Sequence, residues 1–245
     1  MINNRIYDYR MASPFIISYQ DSDPQRVERS DVFKIFPVKI GSYIFPHEHK
    51  TCLKQLCFDI FDKYKNNIEY SRQNFQSEYL THYFGQSNNL SLLDYPGFET
   101  FNSWIKRCSI DYINNILGYD CDDVVITQCW INDCSKGGFA EQHTHRNSFL
   151  SGTYYVNFLP GMHAPLIFSK PTITGKPFLE LERNNTTCSN DSYVSMEPYE
   201  GTLLLWESHI GHGYDSNNTD KRISISFNVI PETLPGIYGF KLIKK

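Results

Sequence analysis

The chain has 245 residues, 40% of them hydrophobic, with a net charge of −4 and a sequence pI near 6.1, enough apolar material for one core. Its basic residues are scattered apart from Lys241, Lys244 and Lys245, which leaves no electrostatic footprint for nucleic acid or an anionic membrane. Met1 to Arg10 carries Arg5, Asp8 and Arg10 instead of the apolar run of a secretion signal, and nothing reaches the roughly 18 apolar residues of a membrane span, so a soluble, cytoplasmic protein is expected.

In chain order, Val32 to Phe45 alternates and is β-branched enough for a strand or hairpin, with Gly41-Ser42 as its turn. His47 and His49, after Pro46, read as the exposed start of a helix. Lys50 to Asn66 then places Leu53, Leu56, Cys57, Ile60, Phe61 and Tyr64 at helical spacing, and Phe98 to Leu117 does the same with Phe101, Trp104, Ile105, Cys108, Tyr112, Ile113 and Ile116. Near residue 121 the period changes. Asp123 to Cys134, Leu150 to Leu159, Pro165 to Phe168, Thr202 to Trp206 and Arg222 to Ile230 are short alternating or apolar runs. Gly137-Gly138, Pro160-Gly161, Gly175, Glu200-Gly201, Gly211 and Gly213 punctuate them. A polar loop is expected over Asn184 to Ser192. The pattern predicts a mainly β protein, a sandwich or jelly roll with helices packed on one face. The expected organisation is one domain over 1–245: an N-terminal strand and helical support to 121, a core over 122–230, and a C-terminal extension over 231–245.

Cysteines at 52, 57, 108, 121, 129, 134 and 188 lack the paired spacing of a zinc site and read as reduced structural thiols. Cys134 is weighed between a buried small residue and a redox role. The sequon Asn184-Asn185-Thr186 has no meaning without secretion.

The residues that carry chemistry are His143 and His145, flanking Thr144, then His212, and Arg222 followed by Ser224. On a strand, residues two apart share a face, so two imidazoles converge on one ion and a distant third closes a facial set with open positions. His209 competes with His212 for the distal place, and the spacing to Arg222 favours His212. His163, after Pro160-Gly161, reads as exposed or facing substrate.

Trp130-Ile131-Asn132, Gly137, His143, Ser151-Gly152-Thr153-Tyr154-Tyr155-Val156, Glu200-Gly201-Thr202 through Ser208, His212 and Arg222-Ile223-Ser224-Ile225-Ser226-Phe227-Asn228 together resemble the iron(II) and 2-oxoglutarate dependent oxygenases. The similarity is to a phage and bacterial branch with an H-x-H pattern, over about residues 120 to 230 and more weakly at Gly85-Gln86-Ser87. The resemblance implies a double-stranded β-helix holding iron(II) on His143, His145 and His212. It also implies a 2-oxoglutarate pocket using Arg222, Ser224, Asn132 and Tyr155, molecular oxygen as a partner, and hydroxylation of a small-molecule or peptide substrate, an amino-acid or protein side chain in particular. An Arg fork suits a carboxylate better than Lys. Aromatic strands such as Tyr154 to Phe158 suit a dry cavity.

Most members carry Asp or Glu where His145 stands. Three arrangements follow: a three-His centre, His145 turned away with chloride or water in its place, or a carboxylate from Glu141 or Glu207. Glu141 also stands as a partner that orients an imidazole. Two other functions compete: a three-His dioxygenase of cupin type that uses no keto acid, and a non-catalytic jelly-roll binding or virion protein.

Overall fold

In the computed structural model, residues 38–85, 91–170, 191–234 and 239–241 are described, and the fold below is that of the unit Lys39–Lys245. Several expectations fall outside these residues: the strand before residue 38, Gln86-Ser87, Gly175, most of the Asn184 to Ser192 loop with its sequon, and Cys188. The elements run β1 (Gly41–Ile44), α1 (His47–Tyr64), β2 (Ser71–Gln73), β3 (Leu80–Tyr83), α2 (Glu99–Asp111), β4 (Val124–Cys134), β5 (Ala140–His143) and β6 (Leu150–Asn157). They continue with β7 (Leu166–Ser169), β8 (Tyr193–Met196), β9 (Thr202–Glu207), β10 (His212–Tyr214), β11 (Arg222–Pro231), β12 (Thr233–Leu234) and β13 (Phe240–Lys241).

Two antiparallel sheets form the double-stranded β-helix. The larger has seven strands in the order β1-β9-β6-β11-β4-β3-β2, the smaller has four in the order β5-β10-β7-β8. Alternation along the central strands sorts side chains to two faces. Ile223, Ile225, Phe227 and Val229 of β11, Leu150, Tyr154 and Val156 of β6, and Leu203 and Leu205 of β9 join Leu53, Ile60, Phe61, Phe101, Trp104 and Ile105 of the two helices in one core. The helices therefore lie on one side of the large sheet, as expected. The opposite residues face the small sheet: Tyr155, Phe158, Leu166, Phe168, Leu204 and Trp206 form a second apolar cluster there. Tyr154 and Val156 thus belong to the helical side, and only Tyr155 and Phe158 of that aromatic stretch line the interior.

Two irregularities matter for the site. In β4 the pairing to β11 slips between Asn228 and Val229, so that Asn228 meets Gln128 and Val229 meets Ile126. An extra residue in one strand reverses the phase of the side chains beyond it. Val124 and Ile126 before the bulge, then Cys129 and Ile131 after it, face the helical core, and Asn132 is delivered to the opposite, interior face.

The second is the end of α2, which widens into a π-helical turn over Tyr112–Leu117 and stops at Gly118, φ 81°, a left-handed cap that glycine adopts without penalty. The expected turn at Gly41-Ser42 is not one. Both residues lie inside β1, paired with Leu205 and Leu204. Glycine is needed there because a Cβ on Gly41 would meet the Tyr112 ring at 2.6 Å.

Gly152 sits between Leu205 and Phe227 with 2.6 Å from an added Cβ to each side chain. Gly152→Val is expected to destabilise by about 1–3 kcal/mol through overpacking, read as a lower urea midpoint with unchanged slope. An unchanged midpoint would show that the sheet yields locally.

Candidate metal and anion site

The small sheet brings the histidines together by pairing. His143 ends β5 and His212 begins β10, and the two are direct cross-strand partners, the arrangement in which side chains on one face lie closest. The register then slips, Tyr214 pairing with Ala140. Gly213 permits this: a Cβ there would stand 2.5 Å from the Ala140 carbonyl oxygen and 2.8 Å from that of Glu141. His145 is not on the strand. It lies just beyond, in a loop fixed by its backbone N–H donating to the Ser208 carbonyl at 3.1 Å.

Ring centroids are 4.5 Å apart for His143 and His212, 5.0 Å for His143 and His145, and 5.1 Å for His145 and His212. One ligand atom from each lies within 4.8 Å of the others. His145 is therefore turned inward, not away. Among the described residues no carboxylate joins the group. Glu141 accepts a hydrogen bond from Gln76 at 2.6 Å at the surface. Glu207 shares the parity of Leu203 and Leu205, which face the helical core, and its charge acts on Tyr112 there. His209 is exposed.

The rings are oriented from behind. His143 Nδ1 is 2.7 Å from the Glu141 carbonyl oxygen and His212 Nδ1 is 3.0 Å from that of Ile210. A carbonyl accepts only, so the His143 ring carries its proton on Nδ1 and leaves Nε2 as the free lone pair. The Trp206 indole nitrogen also lies 3.2 Å from His212 Nδ1. An indole N–H only donates and a carbonyl only accepts, so these two neighbours favour opposite tautomers of His212. The Trp206 ring also packs against His212, centroids 4.6 Å apart. Burial, then the neighbouring His143, lowers the pKa of His145 to about 4 and that of His212 to about 3, which keeps both rings neutral and able to ligate.

Arg222 is buried at 1% exposure. Its Nε donates to the Ala164 carbonyl at 2.9 Å, and its guanidinium carbon lies 3.8 Å from the Tyr214 ring centroid and 5.5 Å from that of Tyr155. Arg222 Nη2 and the hydroxyls of Tyr155 and Tyr214 are buried without a hydrogen-bond partner of normal geometry among the described residues. The Tyr155 hydroxyl still interacts with Arg222 and that of Tyr214 with Cys134, which leaves Arg222 Nη2 as an orphaned buried donor, an uncommon and costly state. Lys221, at φ 66°, turns the chain into β11. Its strain is held by an ion pair to Asp133 at 3.1 Å and by Asn157 Nδ2 donating to its carbonyl.

Ser224 is buried on the same interior face as Arg222 and accepts a hydrogen bond from Asn132 Nδ2 at 3.2 Å. Asn132 is fully engaged with protein groups, its Oδ1 within 2.7 Å of His82 Nδ1 and 2.9 Å of Trp130 Nε1, its Nδ2 also donating to Ser226 at 2.9 Å.

His163 is a correction. At 2% exposure it is buried, accepting from the Leu159 N–H at 3.0 Å and donating from Nε2 to the Asp220 carbonyl at 3.0 Å. It positions the adjacent Ala164, which holds Arg222. Cys134 is buried, its thiol pKa raised chiefly by burial, which fits the structural reading. Sequence reasoning missed Tyr214, His82 and Asn217. Asn217 Oδ1 accepts from the Ala164 N–H at 2.9 Å. Only the proximity of Tyr214 to His212 in sequence pointed to any of them.

Residues 128–228 match the family described as "Putative 2OG-Fe(II) oxygenase". No curated protein sequence matches the chain. The fold is similar to a Pseudomonas putida prolyl-4-hydroxylase (12% identity, 79% of this chain and 93% of that one, TM-score 0.54). It is also similar to HygX from Streptomyces hygroscopicus with nickel, 2-oxoglutarate and hygromycin B bound (9%, 79% and 83%, 0.55). A third similar structure is a Trichoplax adhaerens prolyl hydroxylase in complex with a peptide fragment of the hypoxia inducible factor oxygen degradation domain (14%, 79% and 84%, 0.50).

Acid should destabilise the metal-free protein through these rings. Unfolded His145 and His212 protonate near 6.5, whereas the folded rings do so only near 4 and near 3. The unfolded state thus binds more protons below 6.5, and stability falls as pH falls through that window, by up to about 1.4 kcal/mol per pH unit for each ring. Urea midpoints of the metal-free protein at pH 7 and pH 5 should converge in His145→Gln relative to the parent. Equal pH sensitivity in both would contradict the neutral burial of His145.

Proposed function

We propose that this chain, whose residues 128–228 match the family described as "Putative 2OG-Fe(II) oxygenase", is an iron(II)- and 2-oxoglutarate-dependent dioxygenase that hydroxylates an amino-acid or peptide side chain. The observation that carries the reading is the presence of two separate preparations in the interior, one on each of the two facing sheets. Three imidazole ligand atoms lie within 4.8 Å of one another, and a buried guanidinium with an unpartnered Nη2 stands against the rings of Tyr155 and Tyr214. Neutral imidazoles suit a first-row divalent ion, and the orphaned donor suits the distal carboxylate of a keto diacid.

His143, His145 and His212 would hold iron(II) through their free ring nitrogens. Bound there with 2-oxoglutarate, it supplies oxygen activation coupled to decarboxylation of the keto acid to succinate and carbon dioxide. Arg222 would take the far carboxylate, its plane held by the Tyr214 ring and its Nε by Ala164. Tyr155, Tyr214 and Ser224 would add hydroxyl donors. Burial pushes the Tyr155 hydroxyl up to about 12, partly offset by Arg222, so it stays a neutral donor. Trp206, Phe158 and Phe168 wall the interior and exclude water. An amino-acid or peptide substrate is supported by the prolyl hydroxylases among the similar structures, one of them with a peptide.

Purified protein given iron(II), ascorbate and oxygen should convert 2-oxoglutarate to succinate at a slow uncoupled rate. Arg222→Ala should raise KM for 2-oxoglutarate roughly ten- to hundred-fold, the loss of one charged hydrogen-bond partner. His145→Ala should lose iron binding by metal analysis. Succinate formation indifferent to Arg222→Ala, or no 2-oxoglutarate affinity by calorimetry, would overturn the proposal.

A further inference from the structure

We infer that His82 and Asn74 are positioning residues for the anion pocket: they fix the proton direction along a hydrogen-bonded chain that ends with the Ser224 hydroxyl free to donate. The inference rests on the 2-oxoglutarate reading and deepens it.

The direction of every link follows from groups that can act in one sense only. At one end, the Gln76 backbone N–H is 2.7 Å from Asn74 Oδ1. A backbone N–H only donates, so that atom is the oxygen, and Asn74 Nδ2 is the atom 2.9 Å from His82 Nε2. An amide nitrogen donates, so Nε2 holds the lone pair and the ring proton is on Nδ1. At the other end, the Trp130 indole N–H, also a pure donor, lies 2.9 Å from Asn132 Oδ1, which fixes that amide independently. His82 Nδ1 is 2.7 Å from the same oxygen and must therefore donate. Two unrelated anchors, one on the loop after β2 and one on β4, demand the same tautomer of His82.

The consequence runs to the pocket. With Oδ1 facing His82 and Trp130, Asn132 Nδ2 can only face β11, donating to Ser224 Oγ at 3.2 Å and Ser226 Oγ at 2.9 Å. Beyond that link Ser226 Oγ lies 3.1 Å from Thr153 Oγ1, a pair in which either hydroxyl can donate. Ser224 already accepts from Asn132, so its own proton points elsewhere, on the interior face it shares with Arg222. An amide turned the other way would take that proton for itself and present a lone pair to an anion. His82 and Asn74 thus act on the pocket without touching it, and they explain why Asn132 has no capacity left for direct contact.

The test is anaerobic calorimetry of 2-oxoglutarate on the iron(II)-loaded protein. Ser224→Ala should weaken binding about tenfold, one hydrogen bond to a charged group, and His82→Phe should weaken it several-fold with iron content unchanged. Asn132→Asp, whose carboxylate only accepts and captures the Ser224 proton, should weaken it at least as much as Ser224→Ala. The decisive readout is His82→Phe combined with Ser224→Ala, which should bind no more weakly than Ser224→Ala alone. Asn74→Ala, at the partly exposed loop, tests the same chain if His82→Phe folds poorly. Additive losses, or full affinity in both His82→Phe and Asn74→Ala, would overturn the inference while leaving 2-oxoglutarate binding intact. No affinity in the parent would instead remove the 2-oxoglutarate reading, and this inference with it.

Discussion

The pairing of His143 with His212 across β5 and β10 is the constraint from which the site follows. Once these residues are directly opposed, their rings share a face. A carbonyl two residues upstream then lies behind each ring, and His145 needs only one backbone hydrogen bond, to Ser208, to reach the same point. The opposition depends on Gly213, whose missing side chain lets the β5 backbone bulge past it. The cluster of three imidazoles is thereby specified by strand register, and register is what a sheet with one buried face defines most sharply.

The buried arginine obeys a different logic. Arg222 has its Nε engaged by Ala164 and its plane stacked on Tyr214, yet one Nη is left unpartnered among the described residues. A stability-optimised core would not keep that group. His163 ties the connection before β7 to Leu159 and Asp220, and Asn217 binds the Ala164 N–H together with the carbonyls of Cys134, Ser135 and Thr219.

Sequence alone revealed the long, strongly periodic parts, the two helices and the central strands β4, β6, β9 and β11, and its unusual spacing singled out the three histidines that cluster and the arginine that is buried. Strands such as Ser71–Gln73, Ala140–His143, Tyr193–Met196 and His212–Tyr214 are three or four mostly polar or mixed residues, too short for a period to show. His163 was misread because a Pro-Gly pair before it signalled an exposed loop. The burial comes from backbone groups at Leu159 and Asp220, the latter 57 residues away. His82 and Tyr214 escaped notice for the same reason, since what makes them matter is a partner on another strand. The β4 bulge, which decides the face of Asn132, leaves no mark in the residues at Thr127-Gln128.

The two halves of the site also differ in how firmly they are held. His143 sits on β5, a four-residue strand at the rim of the small sheet with a neighbour on one side only, and His145 trails off its end. Arg222 and Ser224 belong to β11, bonded along its length by β4 and β6. Fraying begins at rims, so amide exchange should be quick around the first two imidazoles and slow around the guanidinium. An ion gripping all three rings would then serve as a rivet, fastening that loose rim to the neighbouring strand β10.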